Sequence, residues 1–216
     1  MGDFGYGRYE AGLEEGKDFR TSYNELLAND KTVIKPGMYP YTCITRNDAQ
    51  ILATRMNYSG CTSSLIFGLQ WDLILKYIET KYLEKNPNSD IESKLTSNST
   101  TIGNYFDNKW NLTNENAKYS TDNGSSFDVC PNPYNKQTEK DILLTTGASE
   151  SFSLMNIYDI AGNVLEWTLE YNANVPCVYR GGSFSGNGSG SPAMYRSTSG
   201  IGGSGNRIGF RVGLWK

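Results

Sequence analysis

The clearest hydrophobic pattern of the chain runs from Gly68 to Leu83, where apolar residues recur with the period of an α-helix. The members of this stripe are Trp71, Ile74, Leu75, Ile78 and Tyr82, and the charged residues fall largely on the other side of the helix. The pattern predicts an amphipathic helix that is anchored in the core by Trp71. A shorter helix is predicted just before it, because a capping-box pair, Thr45 and Asp48, precedes the apolar series Ala49, Leu52, Ala53 and Met56.

The C-terminal end carries a different pattern. Apolar residues alternate at Ile208, Phe210, Val212 and Leu214, which predicts a half-buried strand over residues 207–216. Residues 184–206 read FSGNGSGSPAMYRSTSGIGGSGN, a composition that is typical of disorder. Because the chain returns from this stretch to a strand, we expect a displayed loop that is held at both ends.

Polar residues dominate positions 86–150, a span too long for a structureless loop inside a compact domain. We therefore expect short strands and turns around residues 102–106, Trp110 and residues 142–144. The charged run from Lys136 to Asp141 is predicted to be solvated. Near the N-terminus, Tyr6, Tyr9 and Leu13 suggest a first strand and turn, and residues 31–45 suggest short extended pieces.

Composition restricts the possible functions. The chain has 216 residues, of which 38% are hydrophobic, so one domain over residues 1–216 is expected. A net charge of −3 without a basic cluster argues against nucleic-acid binding. No basic-plus-apolar leader and no run of 18 apolar residues is visible, which predicts neither a signal peptide nor membrane insertion. The Asn-x-Ser/Thr triplets at Asn98 and Asn111 are accordingly interpreted as chance occurrences.

Histidine is absent, which removes Ser-His-Asp catalysis and histidine-ligated zinc from consideration. The four cysteines, Cys43, Cys61, Cys130 and Cys177, lack the close spacing of a metal or redox motif. They could form two disulfides or remain as buried thiols, and the second alternative is favoured. The 23 glycines and 15 tyrosines suit a loop-rich binding protein better than a helical enzyme.

Three phrases near the C-terminus carry a family resemblance. They are NIYDIAGNVLEWT at residues 156–168, YRGGSF at 179–184 and RIGFRV at 207–212, with a weaker match around GLQWD at 68–72. Together they resemble the signature of the formylglycine-generating-enzyme-like family. The resemblance implies an α+β, C-type-lectin-type fold, with two helices on a small twisted antiparallel sheet and long irregular loops. Within the phrases, Gly162-Asn163 predicts a tight turn, and Gly181-Gly182 predicts a close approach of two backbones.

The enzymes of that family hold copper with a cysteine pair, and the corresponding segment here, residues 187–192, reads NGSGSP. The protein is therefore expected not to be an enzyme of this kind, and no cofactor is assigned. Members of the wider family can carry structural calcium near the Gly-Asn-Val-x-Glu phrase. In this chain that would implicate Asn163 and Glu166, although Leu165 replaces the more usual aromatic residue, so the metal question stays open.

Non-enzymatic proteins with this architecture include the variable proteins of diversity-generating retroelements. In that group adenine-directed mutagenesis rewrites a C-terminal cassette, and changes in asparagine codons yield Asp, Ser or Gly. Residues 179–206 fit such a variable ligand-binding segment, between fixed-looking flanks. The predicted ligand contacts are Tyr179, Phe184, Ser185, Asn187, Ser189, Ser191, Met194, Tyr195, Ser197, Ser199, Ser204 and Asn206. Arg196 and Arg207 are predicted to brace the loop instead.

The resemblance implies a protein or glycan ligand on a cell surface, bound by multivalent display. A phage virion is favoured over a bacterial surface as the location, because no signal peptide is visible. One alternative is an enzyme that uses Asp159, Glu166 or Glu170, although Glu166 is predicted to have a structural role. Another is a lectin-like domain of fixed specificity. A calcium-dependent lectin is disfavoured because residues 184–206 contain no Asp or Glu.

Overall fold

A computed structural model of the protein describes residues 4–56 and 60–216. Three α-helices lie in the described residues: α1 (Arg46–Thr54), α2 (Gly68–Lys85) and α3 (Ile91–Thr96). Short 3-10 turns occupy Thr100–Ile102 and Glu150–Phe152. The two predicted helices are confirmed, and α3 is an additional short helix that was not predicted.

The strands are short and form several small sheets. In chain order they are β1 (Phe4–Tyr6), β2 (Gly12–Leu13), β3 (Thr32–Val33), β4 (Thr62–Leu65), β5 (Trp110–Leu112), β6 (Lys118–Ser120), β7 (Asp128–Val129), β8 (Tyr134–Lys136), β9 (Leu143–Leu144), β10 (Ser153–Leu154), β11 (Ile157–Tyr158), β12 (Leu165–Trp167), β13 (Cys177–Arg180), β14 (Arg196–Ser199), β15 (Ile208–Phe210) and β16 (Val212–Trp215). The larger sheets have the orders β14-β13-β12-β15, β1-β16-β4 and β7-β6-β9. The α+β class is confirmed.

Three strands of the four-stranded sheet, β12, β13 and β15, contain residues of the three phrases that carry the family resemblance. Strand β13 pairs antiparallel with both β12 and β14, whereas β15 runs parallel to β12. Trp167 in β12 therefore has Tyr179 on one side and Phe210 on the other. This arrangement places strand β14, from the glycine- and serine-rich segment, at the edge of the sheet.

The helices are formed as their sequences predict. The Thr45 hydroxyl accepts a 3.2 Å hydrogen bond from the Asp48 amide and caps α1. In α2 the side chains of Trp71, Ile74, Leu75 and Ile78 are buried, and Trp71 is 1% exposed. Trp71 is thus a core anchor, as predicted.

The prediction of a single closing strand over residues 207–216 is wrong. The chain instead forms β15 and β16, which belong to different sheets and are separated by Arg211. Alternating burial does not hold either, because Gly209, Arg211 and Gly213 are buried together with Phe210 and Val212. The break follows from Arg211, whose guanidinium turns into the core and pairs with Glu166.

Residues 86–150 contain short strands, as expected, and a hydrophobic cluster of their own. The cluster contains Trp110, Leu112, Ala117, Cys130, Ile142, Leu144, Ala148 and Phe152. The prediction of a solvated run is wrong at Lys136, which is only 3% exposed. Its ammonium donates hydrogen bonds of 2.5 and 2.8 Å to the carbonyls of Tyr105 and Phe106. Burial lowers the pKa of Lys136 to about 8.

All four cysteines are free thiols, and Cys43, Cys130 and Cys177 are buried. The prediction of thiols rather than disulfides is therefore confirmed, but the predicted burial is wrong for Cys61, which is half-buried. Burial raises the pKa of Cys130 to about 12, which keeps it in the unreactive thiol form. Among the described residues, none of the helices has the length and apolar character needed to cross a membrane.

Candidate functional site

The glycine- and serine-rich segment, residues 184–206, is not a free loop. Residues 186–195 lie along residues 95–107 and exchange main-chain hydrogen bonds with them. The amides of Ser99 and Phe106 donate 3.0 Å bonds to the carbonyls of Gly188 and Gly186, and the Met194 amide donates a 3.0 Å bond to the Leu95 carbonyl. The chain then enters β14, so the segment is fixed along most of its length.

Side chains from outside the segment add further attachments, again to its main chain. The Trp71 indole donates a 3.0 Å hydrogen bond to the Ala193 carbonyl, and the Tyr105 hydroxyl donates a 2.9 Å bond to the Ser191 carbonyl. The Asp107 carboxylate accepts a 3.1 Å bond from the Gly188 amide. These contacts hold the path of the backbone without using the segment's own side chains.

Glycine is required at Gly188 because the two backbones come very close there. A Cβ on Gly188 would lie 2.1 Å from the Thr100 amide nitrogen and 2.4 Å from the Thr100 Cα. The predicted close approach at Gly182 is also confirmed, since a Cβ there would lie 2.4 Å from the Ser191 carbonyl oxygen. By contrast, a Cβ on Gly190 would meet nothing closer than 3.8 Å.

Most of the predicted contact residues reach the surface, to different degrees. The exposed ones are Asn187, Ser189, Met194 and Ser204, and the half-buried ones are Tyr179, Ser185, Ser191, Tyr195, Ser197, Ser199 and Asn206. Tyr179 and Ser197 lie directly opposite each other on β13 and β14. The side-chain amide of Asn206 donates a 3.0 Å hydrogen bond to the Asn123 carbonyl.

Phe184 is a correction to the predicted site. Its side chain is fully buried against Leu143 and Val164, so it cannot contact a ligand at the surface. The small polar residues around Phe184 predict exposure, but they do not show which apolar residues it packs against. In the structure the Phe184 side chain packs in the core and so holds the start of the segment in place. Tyr179 is also partly a core residue, since its ring packs edge-on against the buried Trp167 ring with centroids 5.5 Å apart.

A network of charged residues supports β14 from the adjoining strand and helix. The Glu170 carboxylate pairs with Arg180 at 3.3 Å and with Arg196 at 2.5 Å, and Arg180 also pairs with Asp72 of α2 at 2.5 Å. The predicted bracing role of Arg196 is thus confirmed. Arg207 is exposed, and no side chain in the described ranges forms an ion pair with it. Its bracing role remains a prediction.

One part of the surface was not predicted from the sequence. Tyr171 and Ile201 are 67% and 72% exposed and flank a cleft of about 510 Å³ between α1 and the end of β14. Arg46, Asn47 and Gln50 of α1 line its other side. Tyr171 stands out in the sequence only as an aromatic residue in a polar stretch, and no residue near it in the sequence shows that it lines a cleft together with α1.

The core beneath the sheet contains an unusual set of charged groups. The Arg211 guanidinium contacts both oxygens of Glu166, with Nη2 2.7 Å from Oε1 and Nε 3.1 Å from each oxygen. Glu10 accepts hydrogen bonds from the Asn163 side chain at 2.7 Å and the Val164 amide at 3.1 Å. Asp159 accepts a 2.7 Å bond from the Gly147 amide. All of these carboxylates are buried.

Burial raises the pKa of each of the three carboxylates, and for Glu10 the charges of Asp159 and Glu166 raise it further. The pKa of Asp159 rises to about 6, because burial outweighs the Gly147 hydrogen bond and the attraction of Arg211. These groups have no access to a substrate at the surface. The observed role of Glu166 is the predicted structural one, an ion pair with Arg211.

Asn163 and Glu166 do not fit a calcium site. The side-chain oxygen of Asn163 already accepts hydrogen bonds from Asn104 and Leu144, both at 3.1 Å, and Arg211 contacts both oxygens of Glu166. The positive charge beside Glu166 is therefore supplied by a side chain. Within residues 4–56 and 60–216, no group of three or more Cys, Asp or Glu residues has a metal-binding arrangement.

Comparison with known proteins decides the family. Residues 9–214 match the family described as the sulfatase-modifying factor enzyme 1-like domain. The chain belongs to this family. The resemblance predicted from the three phrases is confirmed, and it extends over nearly the whole chain.

Two solved structures share the fold of this family member. A crystal structure of CarF superimposes with a TM-score of 0.54 and 16% identity, over 97% of this chain and 85% of that one. Treponema denticola variable protein 1 superimposes with a TM-score of 0.51 and 16% identity, over 97% and 84% of the two chains. No curated protein sequence matches the chain. The C-type-lectin-type architecture is thereby confirmed, and one of the two neighbours is a variable protein.

Proposed function

We propose that the protein is a non-enzymatic binding protein whose surface at residues 179–206 is diversified by a retroelement and recognises a protein or glycan on a cell surface. The proposal rests on one observation: the segment contacts the scaffold through its main chain, while several of its side chains face solvent. The main chain at Gly186, Gly188 and Ala193 makes the contacts with the scaffold, while the side chains of Asn187 and Ser189 face solvent. Substitution at such solvent-facing positions changes the surface without changing the fold.

The segment lacks what the family's copper enzymes need. No cysteine occurs among residues 187–192, and Asp159 and Glu166 are buried in structural contacts. Glu170 holds Arg180 and Arg196 in ion pairs, so it positions the sheet edge rather than a substrate. The chemistry of the segment therefore favours binding over turnover.

The ligand is expected to contact a mixed surface. Small polar side chains from the segment adapt their hydrogen bonds to different ligands, while the exposed Met194, Tyr171 and Ile201 supply apolar area. A surface with so few large side chains gives modest affinity at one site. Multivalent display, which we assign to a phage virion, would raise the overall avidity.

Sequencing of this gene and its flanking DNA across a population tests the proposal. We expect substitutions at solvent-facing codons of the segment that contain adenine, matched by a nearby near-identical repeat. The codons of Gly188 and Ala193 should be constant, because a Cβ on Gly188 would collide with the Thr100 backbone and Ala193 is fully buried. An invariant segment without a repeat would reject diversification and leave a lectin-like domain of fixed specificity.

A further inference from the structure

A second cleft lies outside residues 179–206 and is larger than the one beside Tyr171. Its volume is about 650 Å³, within the range of about 300–1,000 Å³ that is usual for small-molecule sites. Its walls come from residues 8–9, 36–37, 111–114 and 147–151, together with Asn116 and Tyr158. We call it the Tyr158 cleft. Since no residue of the variable segment lines it, diversification would leave it unchanged.

The Tyr158 cleft has a buried floor and a polar rim. Leu112, Ala148 and Tyr158 on the floor are 1%, 1% and 2% exposed. The exposed side chains of the rim are short amides and hydroxyls, with one acid and one base: Arg8, Asn111, Thr113, Asn116, Glu150 and Ser151. A floor of this kind excludes water beneath a ligand, while the rim offers both donors and acceptors.

The two charged side chains of the rim offset each other. The Arg8 guanidinium donates a 3.4 Å hydrogen bond to the Tyr158 hydroxyl, which in turn donates to Glu150. Arg8 also lies 5.2 Å from the ring centroid of Tyr9 and 5.1 Å from that of Tyr158. The acid and the base therefore meet at one hydroxyl, and the side chains that line the cleft carry no net charge.

The lining is held in place before any ligand binds. The Asn114 side chain donates a 3.2 Å hydrogen bond through Nδ2 to the Ala148 carbonyl and accepts a 3.0 Å bond at Oδ1 from the main-chain N–H of Asn116. Gly147 has a φ of +60°, and a Cβ at this position would lie 2.5 Å from the Tyr9 ring. Glycine thus lets the 147–151 turn pack directly on the Tyr9 ring. Such preorganisation reduces the entropy that is lost on binding.

From these features we infer that the Tyr158 cleft binds a neutral carbohydrate without calcium. Sugar hydroxyl groups both donate and accept hydrogen bonds, which matches a rim of amides and hydroxyls beside the fixed Arg8–Glu150 pair. A strongly ionic ligand would find no net charge, and a purely apolar ligand would leave the rim's polar groups unpaired. The inference goes beyond the proposed function, because it assigns a constant second site to a protein whose other surface varies.

Saturation-transfer NMR tests this inference on the full chain. The probes are glucose, galactose, mannose, N-acetylglucosamine and N-acetylgalactosamine, each at millimolar concentration with EDTA present. We expect signal transfer to at least one of these sugars. Transfer to none of them, or transfer that appears only after calcium is added, overturns the inference.

Two variants locate the bound sugar. Asn116→Trp places a large side chain on the exposed rim and is expected to abolish the transfer. Glu150→Gln removes the charge but keeps the shape, and is expected to weaken binding about tenfold, because a hydrogen bond to a charged group becomes a neutral one. Asn88→Trp, an exposed change outside both the cleft and the variable segment, is the matched control and should leave the transfer unaltered. Ser204→Trp tests whether the sugar binds the variable segment instead.

Thermal denaturation of each variant first shows that it is folded, and Ser151→Trp replaces Asn116→Trp if the latter is not. Binding that survives both rim substitutions would contradict the inference. Loss of binding in Ser204→Trp would also contradict it, because that result places the sugar on the variable surface. Neither outcome bears on whether the gene is diversified, so this test and the sequencing test can fail independently.

Discussion

The indole nitrogen of Trp71 donates a 3.0 Å hydrogen bond to the main-chain carbonyl of Ala193. Both residues are buried, at 1% and 0% exposure, so the bond joins helix α2 to the middle of the candidate variable segment inside the core. A carbonyl acceptor is present whichever residue follows it in the sequence. A fixed helix can thus hold a segment whose exposed side chains differ.

Replacement of Trp71 by Phe tests this attachment. Loss of the indole N–H leaves the buried Ala193 carbonyl unpaired, and we expect the free energy of unfolding to fall by about 1–3 kcal/mol. Hydrogen exchange should accelerate at the Met194 amide and its neighbours. Trp215→Phe is the control, because Trp215 is only partly buried and packs on Phe67 through its ring. Equal exchange at Met194 in both variants would show that the bond does not hold the segment.

Gly188 and Gly190 provide a matched pair of alanine substitutions. Gly188→Ala forces a Cβ against the Thr100 backbone and should reduce the free energy of unfolding by about 1–3 kcal/mol, as overpacking does. Gly190→Ala has open space and should be neutral or slightly stabilising. Chemical denaturation measures both values. Equal stabilities would mean that the segment does not pack on residues 95–107 as the structure shows.

The ion pair of Glu166 and Arg211 is expected to be essential for folding stability. Arg211→Met removes the cation beside three buried carboxylates and should cost about 3–5 kcal/mol, because an uncompensated charge then remains in the core. Adding Glu166→Gln to this variant should restore part of the loss. A double-mutant cycle from urea denaturation measures the coupling. No recovery in the double variant would show that Arg211 acts through its contacts with the Gly7 and Tyr158 carbonyls instead.

The parts of the fold that follow local rules could be predicted from the sequence. Helices α1 and α2 depend on a cap and a helical period, which are properties of neighbouring residues. The three phrases also identified the family, because each is a continuous run of residues that can be read from the sequence alone. In the structure they contribute to β12, β13 and β15 of one sheet. The exposure of Asn187 and Ser189 was predicted as well, since short polar residues between glycines rarely enter a core.

The remaining features depend on partners that are distant in sequence. Lys136 is buried because the carbonyls of Tyr105 and Phe106 meet it, and nothing near Lys136 in the chain shows this. Phe184 is buried for a similar reason, because it packs against Val164 and Leu143, which are distant from it in the sequence. Arg211 breaks the closing strand because Glu166, 45 residues earlier, requires a cation. A pattern of apolar and polar residues contains none of these pairings.

The buried carboxylates predict an unusual dependence of stability on pH. Burial raises the pKa of Asp159 from its ordinary value of 3.8 to about 6, so the folded state binds the proton more tightly than the unfolded state does. This contribution to stability is complete below pH 3.8 and is lost as the pH rises through about 6. Glu10 and Glu166 shift in the same direction, also through burial.

Replacement of Asp159 by Asn isolates this effect. Asparagine keeps an oxygen for the Gly147 amide but does not titrate, so the stability of the variant should fall less between pH 4 and pH 7. The wild type should lose up to about 3 kcal/mol relative to the variant over this range, since one pKa unit corresponds to about 1.36 kcal/mol. Urea denaturation at several pH values measures the difference. Glu139→Gln, at an exposed carboxylate, serves as the control and should follow the wild-type profile. If Asp159→Asn also follows that profile, the Asp159 carboxyl group binds its proton equally well in the folded and unfolded states, and its burial among Glu10, Glu166 and Arg211 has no effect on folding between these pH values.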